Sequence, residues 1–189
     1  MFIQTEPTPN PDTMKFIPGI PVAGLSGPFD YPTLESASNS PLAITLFGLE
    51  GVTRVFLGSD FISLAKDPEI EWAQLRPSVL AAIMDHYTAG LPVVEGVGDA
   101  QEDDTVYEGE AADIVAEIKE LIETRVRPAV AADGGDIIFH RFEPDTGVVH
   151  LSMRGACAGC PASSYTLKQG IENMLRAYVP EVTSVEAAL

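Results

Sequence analysis

Apolar and polar positions alternate with two different periods along this chain, and the changes of period mark its elements. Between residues 52 and 64 the pattern is strand-like: Val52-Thr53-Arg54-Val55-Phe56-Leu57, a Gly58-Ser59-Asp60 turn, then Phe61-Ile62-Ser63-Leu64. This predicts a hairpin. Lys15-Phe16-Ile17 is a shorter strand, stopped by Pro18-Gly19. Ahead of it, Pro7, Pro9 and Pro11 favour extended or turn backbone. Residues 24–39 are rich in Ser, Gly and Pro and predict a loop. Ser40-Pro41 supplies a side-chain acceptor and then a residue without a backbone donor, which opens a helix expected through Phe47. Val79, Leu80, Ile83 and Tyr87 recur at helical spacing and predict a helix over 77–89, closed by Gly90. Residues 91–95 read as a further strand.

The helical period returns with Ile114, Val115, Ile118, Leu121 and Ile122, predicting a helix over 111–124. A second helical segment, 127–132, runs into the turn Asp133-Gly134-Gly135-Asp136. Strands are predicted over 137–142 and 148–153, joined by Glu143-Pro144-Asp145-Thr146-Gly147. After a short loop at 154–160, Leu167, Ile171, Met174 and Leu175 give the core stripe of a helix over 161–178. Residues 182–185 read as a last short strand.

The segment 96–110, GVGDAQEDDTVYEGE, contains six acids and no base. It repels itself and has little to bury, so it reads as a flexible linker. The predicted organisation is α+β: two small domains at 1–95 and 111–189, each a short, mostly antiparallel sheet with helices packed on it, joined by the acidic linker at 96–110.

Composition narrows the function classes. Apolar residues make up 46% of the 189 positions, enough for a core in each domain, and no apolar run is long enough to span a bilayer. The net charge is −17 with only 11 Lys and Arg, which argues against nucleic acid as a partner. The expected partners include neither nucleic acid nor membrane. The first residues, MFIQTEP, show neither a secretory leader nor a transit pattern. A cytoplasmic, bacterial setting is expected, with a mature form in the mitochondrial matrix as the alternative.

The two cysteines, Cys157 and Cys160, form a Cys-x-x-Cys between a predicted strand and a predicted helix. Pro161 suits the first helical turn, so the thiols sit near a helix N-terminus, where partial positive charge favours thiolates. Gly155, Ala156, Ala158 and Gly159 let the loop fold tightly and offer little side-chain bulk as a shield. Two readings compete: a dithiol redox pair, or half of a metal or cluster site. Two thiolates do not complete a zinc or a four-iron centre, so the second reading needs the same pair from a second chain across a two-fold axis. A zinc-bridged structural dimer is one version of it.

Other residues have plainer readings. His86, His140 and His150 show no ligand spacing with the cysteine pair. Asp133 and Asp136 read as turn residues rather than a metal pair. Trp72 and Tyr87 read as packing. Arg154 stands beside the cysteine loop, either facing an anionic cargo or solvated. No nucleophilic triad and no glycine-rich phosphate loop is present.

Longer motifs resolve what the cysteine pair alone leaves open. MFIQTEPTPNP with MKFIPG, SPLA at 40–43 and GVTRVFLGSDFISLAK at 51–66 resemble the Nfu family of iron–sulfur cluster proteins. RPAVAADGGDI at 127–137, MRGACAGCP at 153–161, TLKQGIENML at 166–175 and VPEV at 179–182 resemble its NifU-like domain. The resemblance implies a non-enzymatic scaffold or carrier: a homodimer, joined through the C-terminal domain, that binds a [4Fe-4S] cluster through Cys157 and Cys160 of each chain, with [2Fe-2S] as a minor form. It further implies loading by upstream cluster-assembly proteins and delivery to apo iron–sulfur enzymes, the N-terminal domain aiding partner recognition. One position departs from the family pattern. Ala162 stands where a serine is usual, which bears on hydrogen bonds to cluster sulfur rather than on binding.

Overall fold

Strand β1 (Gln4–Pro7) opens the N-terminal sheet, and β2 (Thr13–Ile17) pairs antiparallel with it. The computed structural model describes residues 2–24, 27–96, 107–158 and 161–188, and for residues 161–164 the backbone alone. The predicted hairpin forms as β4 (Val52–Leu57) and β5 (Ile62–Lys66). With β3 (Phe29–Tyr31) they make a five-stranded sheet in the order β1-β2-β5-β4-β3, antiparallel throughout. One face collects Phe16, Ile62, Leu57, Leu64, Val55 and Tyr31 from cross-strand neighbours. Helix α1 (Pro41–Phe47) adds Leu42, Ala43 and Leu46 to the same core, and α2 (Trp72–Thr88) adds Leu75, Val79 and Ile83.

Ser40 caps α1 as its sequence predicts: the hydroxyl accepts from the Ala43 N–H at 3.1 Å. Three expectations change. The 24–39 segment is not all loop, because it holds β3 and a 3-10 turn at Glu35–Ala37. Residues 91–95 form no strand. Instead the Ser40 hydroxyl donates to the Val93 carbonyl (2.6 Å) and the Glu95 N–H to the Asn39 carbonyl (2.6 Å), so this stretch straps the head of α1. Helix α2 starts at Trp72, with Pro77 inside it. A proline there removes one helix bond, and the turn before it is held from outside. Trp72 packs its ring near Phe16 and donates from Nε1 to the Pro11 carbonyl at 3.0 Å.

In the C-terminal unit, α3 (Glu110–Leu121) continues through one wide π turn (Ile122–Val126) into α4 (Arg127–Ala132). Pro128 accounts for the widening, since its ring and missing N–H disfavour a regular turn. The Arg127 N–H reaches back to Ile122 O, five residues away. Strands β6 (Gly135–Glu143) and β7 (Val148–Gly155) form the expected hairpin, with a register shift between Phe139 and Arg141. Helix α5 (Pro161–Tyr178) then leads to β8 (Ser184–Ala187), which pairs parallel to β7 in a three-stranded sheet ordered β6-β7-β8. The core gathers Val115, Ile118, Ile122, Val126 and Val130 from the helical run, Ile137, Phe142, Val149, Leu151 and Val185 from the sheet, and Ile171 and Leu175 from α5.

The chain divides into two units, Met1–Ala100 and Gln101–Leu189, both α+β. Residues 97–106 of the expected linker lie outside the described residues. Its far end is anchored: Tyr107 packs on the C-terminal core, and its hydroxyl accepts the Phe142 N–H at 2.8 Å. Among the described residues no helix is long and apolar enough to cross a membrane.

Candidate cluster-ligand loop

The loop that carries the first cysteine is built by the end of β7 and the start of β6. Gly135 pairs with Gly155 across the two strands. Gly134, at φ 81°, turns the chain in a conformation that favours glycine, and its carbonyl accepts the Ala156 N–H at 3.1 Å. The Ala158 N–H closes a tight turn onto the Gly155 carbonyl at 3.0 Å. Cys157 is thereby tucked inward and is only 6% exposed, in contact with the C-terminal core. The small side chains of the loop suggest an unshielded thiol. The shield is instead backbone. A Cβ on Gly135 would stand 2.7 Å from Cys157 Sγ and 2.8 Å from the Arg154 carbonyl, so only glycine fits there. Cys160 lies outside the described residues.

Next to Gly135, Asp136 is buried and holds Arg127 in a two-pronged pair: Arg127 Nε donates to Oδ1 at 2.9 Å and Nη2 to Oδ2 at 3.0 Å. Glu123, one turn back on the π segment, accepts a hydrogen bond from Nη1 at 2.7 Å. The Asp136 hydrogen bonds, with Glu123 adding to them, hold the Arg127 guanidinium above its ordinary range, so the arginine stays charged. Sequence reading treats Asp136 as a turn residue and assigns Arg127 no role. A pair nine residues apart, joining a helix to a strand, has no periodic signature.

Of the other residues singled out from the sequence, Arg154 borders this loop through its carbonyl, while His150 and His86 lie elsewhere. His150 Nε2 lies 3.1 Å from Glu143 Oε1 at the far end of the hairpin. The Thr146 hydroxyl, and then His150 and Arg141, keep the Glu143 carboxyl below its ordinary value. His86 is buried in the N-terminal unit. Among the described residues, no three His, Cys, Asp or Glu side chains gather so as to hold a metal ion. What the described residues offer here is a sheltered thiol, Cys157, three residues before Cys160 and four before the start of the 18-residue helix α5.

Comparison with known proteins matches both units. Residues 3–90 match the family described as "Scaffold protein Nfu/NifU N terminal", and residues 118–186 match "NifU-like domain". NifU-like protein 4, mitochondrial, of Arabidopsis thaliana is 50% identical over 98% of this chain and 65% of its own length. NifU-like protein 5, mitochondrial, of the same plant is 49% identical over 98% of this chain and 67% of its own. The NFU1 iron-sulfur cluster scaffold homolog, mitochondrial, of Drosophila willistoni is 47% identical over 98% and 63%. The chain thus spans about two thirds of the length of the relatives it matches.

Proposed function

The chain belongs to the Nfu family of NifU-like proteins, and from that premise we propose that it is a scaffold and carrier for an iron–sulfur cluster. The cargo is a [4Fe-4S] cluster held between two copies of the chain, with Cys157 and Cys160 of each as ligands and [2Fe-2S] as a minor form. Four thiolates are what such a cluster requires, and each chain has two cysteines. The observation that carries the reading is the setting of Cys157: a thiol on a glycine- and alanine-built loop, packed against Gly135, four residues ahead of the start of α5. Soft thiolate donors suit iron–sulfur cargo.

The cluster arrives from upstream assembly proteins and leaves to apo iron–sulfur enzymes, without turnover of a small substrate. The homodimer forms through the C-terminal unit, because both ligands lie there. The acidic segment at 96–110 serves as a tether that lets the N-terminal unit raise the local concentration of acceptors. A bacterial cytoplasm and a mitochondrial matrix are the two candidate settings, and the mitochondrial names of the relatives favour the second. The competing dithiol oxidoreductase reading expects a thioredoxin-type sheet with more strands around the loop than β6-β7-β8 supplies.

The test is absorption spectroscopy with iron and sulfide analysis after anaerobic reconstitution. The expected outcome is a brown protein with one four-iron cluster per two chains. A colourless protein with zinc, or a dithiol that cycles without iron, overturns the reading.

A further inference from the structure

We propose that Arg127 and Asp136 are a positioning pair for Cys157, locking the start of β6 so that the Gly135 backbone forms the seat on which the Cys157 sulfur rests. The inference rests on the cluster-carrier reading for its purpose, but its geometry stands apart from it.

Gly135 does not hold the sulfur unaided. It is the first residue of β6, beside a turn at Gly134 that strands alone do not fix. Asp136 is the next residue, and its side chain is 7% exposed. A buried carboxylate needs a partner, and a guanidinium that meets both of its oxygens fixes its orientation as well as its charge. Arg127 makes those two bonds from the end of the π turn. One added residue in that turn changes the direction in which the following side chains project. Glu123 braces the same guanidinium from the preceding turn. The chain of contacts therefore runs from the helical layer through Arg127 and Asp136 to Gly135 and the Cys157 sulfur. Asp136 also pairs in register with Arg154, whose carbonyl forms the other wall against Gly135. A second arginine–aspartate pair, Arg54 with Asp30, joins β4 to β3 in the N-terminal unit and provides a matched control.

The experiment uses the full-length apo chain carrying Cys160→Ser, so that Cys157 is the single thiol, and follows its alkylation by iodoacetamide. Adding Arg127→Gln is expected to speed Cys157 alkylation about tenfold or more, because the seat opens locally. Asp136→Asn should act in the same direction. Arg127→Lys keeps the charge and loses the two-pronged geometry, so it should fall between Arg127→Gln and the parent. Arg54→Gln should leave the rate unchanged. Circular dichroism melts identify any variant that has unfolded, in which case the Arg127→Lys and Arg54→Gln comparison decides. Unchanged alkylation in a folded Arg127→Lys or Arg127→Gln chain overturns the proposal, as does an equal acceleration by Arg54→Gln. In the chain with both cysteines, Arg127→Lys should also shorten cluster lifetime under a chelator and shift the cluster's absorption. A chain with both cysteines and no other change that takes up no cluster refutes the carrier reading while leaving the alkylation result intact. An unaltered two-cysteine chain that holds its cluster, with flat alkylation across the Cys160→Ser series, refutes the positioning pair alone.

Discussion

In the N-terminal unit Arg54 meets Asp30 between two neighbouring strands, while in the C-terminal unit Arg127 meets Asp136 across a helix-to-strand junction. Both are two-pronged pairs with a largely buried carboxylate. The first staples the short strand β3 to the sheet edge, where three residues of pairing give little hold of their own. The second holds the strand start that faces a thiol. The same two side chains thus join two strands in one unit and a helix to a strand beside a thiol in the other, and what distinguishes them is the neighbour, not the residue type. The units also differ in how they treat buried polar groups. His86 in the N-terminal unit is buried with no full hydrogen bond to either ring nitrogen among the described residues, only the weaker approach of the Pro92 and Leu91 backbone, and the Tyr87 hydroxyl is pushed up to about 12 by burial. Asp136, the buried acid of the C-terminal unit, is bonded through both oxygens.

The largest effect expected from this contrast is all-or-none. A fragment over residues 101–189 should take up the four-iron cluster, and residues 1–95 should take up none. Starting at Gln101 keeps Tyr107 on the core. Within the full chain, Cys157→Ala or Cys160→Ala should abolish stable four-iron binding, measured by iron and sulfide content. A full cluster in either variant, or in the N-terminal fragment, would break the assignment of chemistry to one unit.

A core deletion sharpens the contrast from the other side. Leu46→Ala removes a fully buried side chain from the N-terminal unit. It should cost about 2–5 kcal/mol in that unit's unfolding by denaturant, with cluster content per chain unchanged. Gly135→Ala should show the reverse pattern. Its methyl group meets Cys157 Sγ and the Arg154 carbonyl, so the expected cost is about 1–3 kcal/mol, confined to the C-terminal unit and accompanied by loss of cluster. Equal cluster loss in both variants would mean that the two units share one stability.

How far the sequence carries depends on whether an element is fixed locally. Ser40-Pro41 and the strand periodicity at 52–64 are local signals, and each element appears where they place it. The Cys-x-x-Cys and Pro161 likewise locate the loop and the start of α5. What stays hidden depends on distant partners. β1 is largely polar and exists because β2 pairs with it. The first turn of α2 precedes a proline and is held by the Trp72 bond to Pro11, far away in the chain. Residues 91–95 look like a strand by composition, yet their backbone partners are Asn39 and the Ser40 hydroxyl rather than a sheet. At the candidate site the cysteine pair is legible and the backbone that supports Cys157 is not, because Gly135 reads as turn punctuation until the sulfur is seen against it.

The smallest expected effect is a pH slope in the N-terminal unit. Burial lowers the His86 pKa below its ordinary 6.5, and the backbone at Pro92 and Leu91 offsets part of this. The folded state therefore holds this proton less tightly than the unfolded state. The stabilising contribution is complete above about pH 6.5 and is lost as pH falls through the folded-state value. His86→Phe should flatten the decline in melting temperature between about pH 7 and about pH 5, while the C-terminal transition keeps its own pH dependence. An unchanged slope would show that carboxylates alone set acid stability there.

The parallel strand β8 has a consequence for how the protein is made. β6 and β7 can pair as soon as they leave the ribosome, since a short loop joins them. The strand that completes their sheet comes only after all of α5, and several bonds wait for it, among them Thr183 N–H to the Gly147 carbonyl, Ala188 N–H to the Leu151 carbonyl and Val185 N–H to Glu172 Oε2. Cys157 is thus synthesised well before its housing is finished. At the pace of translation the interval is on the order of a few seconds. A chain cut short before β8 should therefore keep the β6–β7 hairpin while losing the third strand of the sheet that ends beside the sulfur.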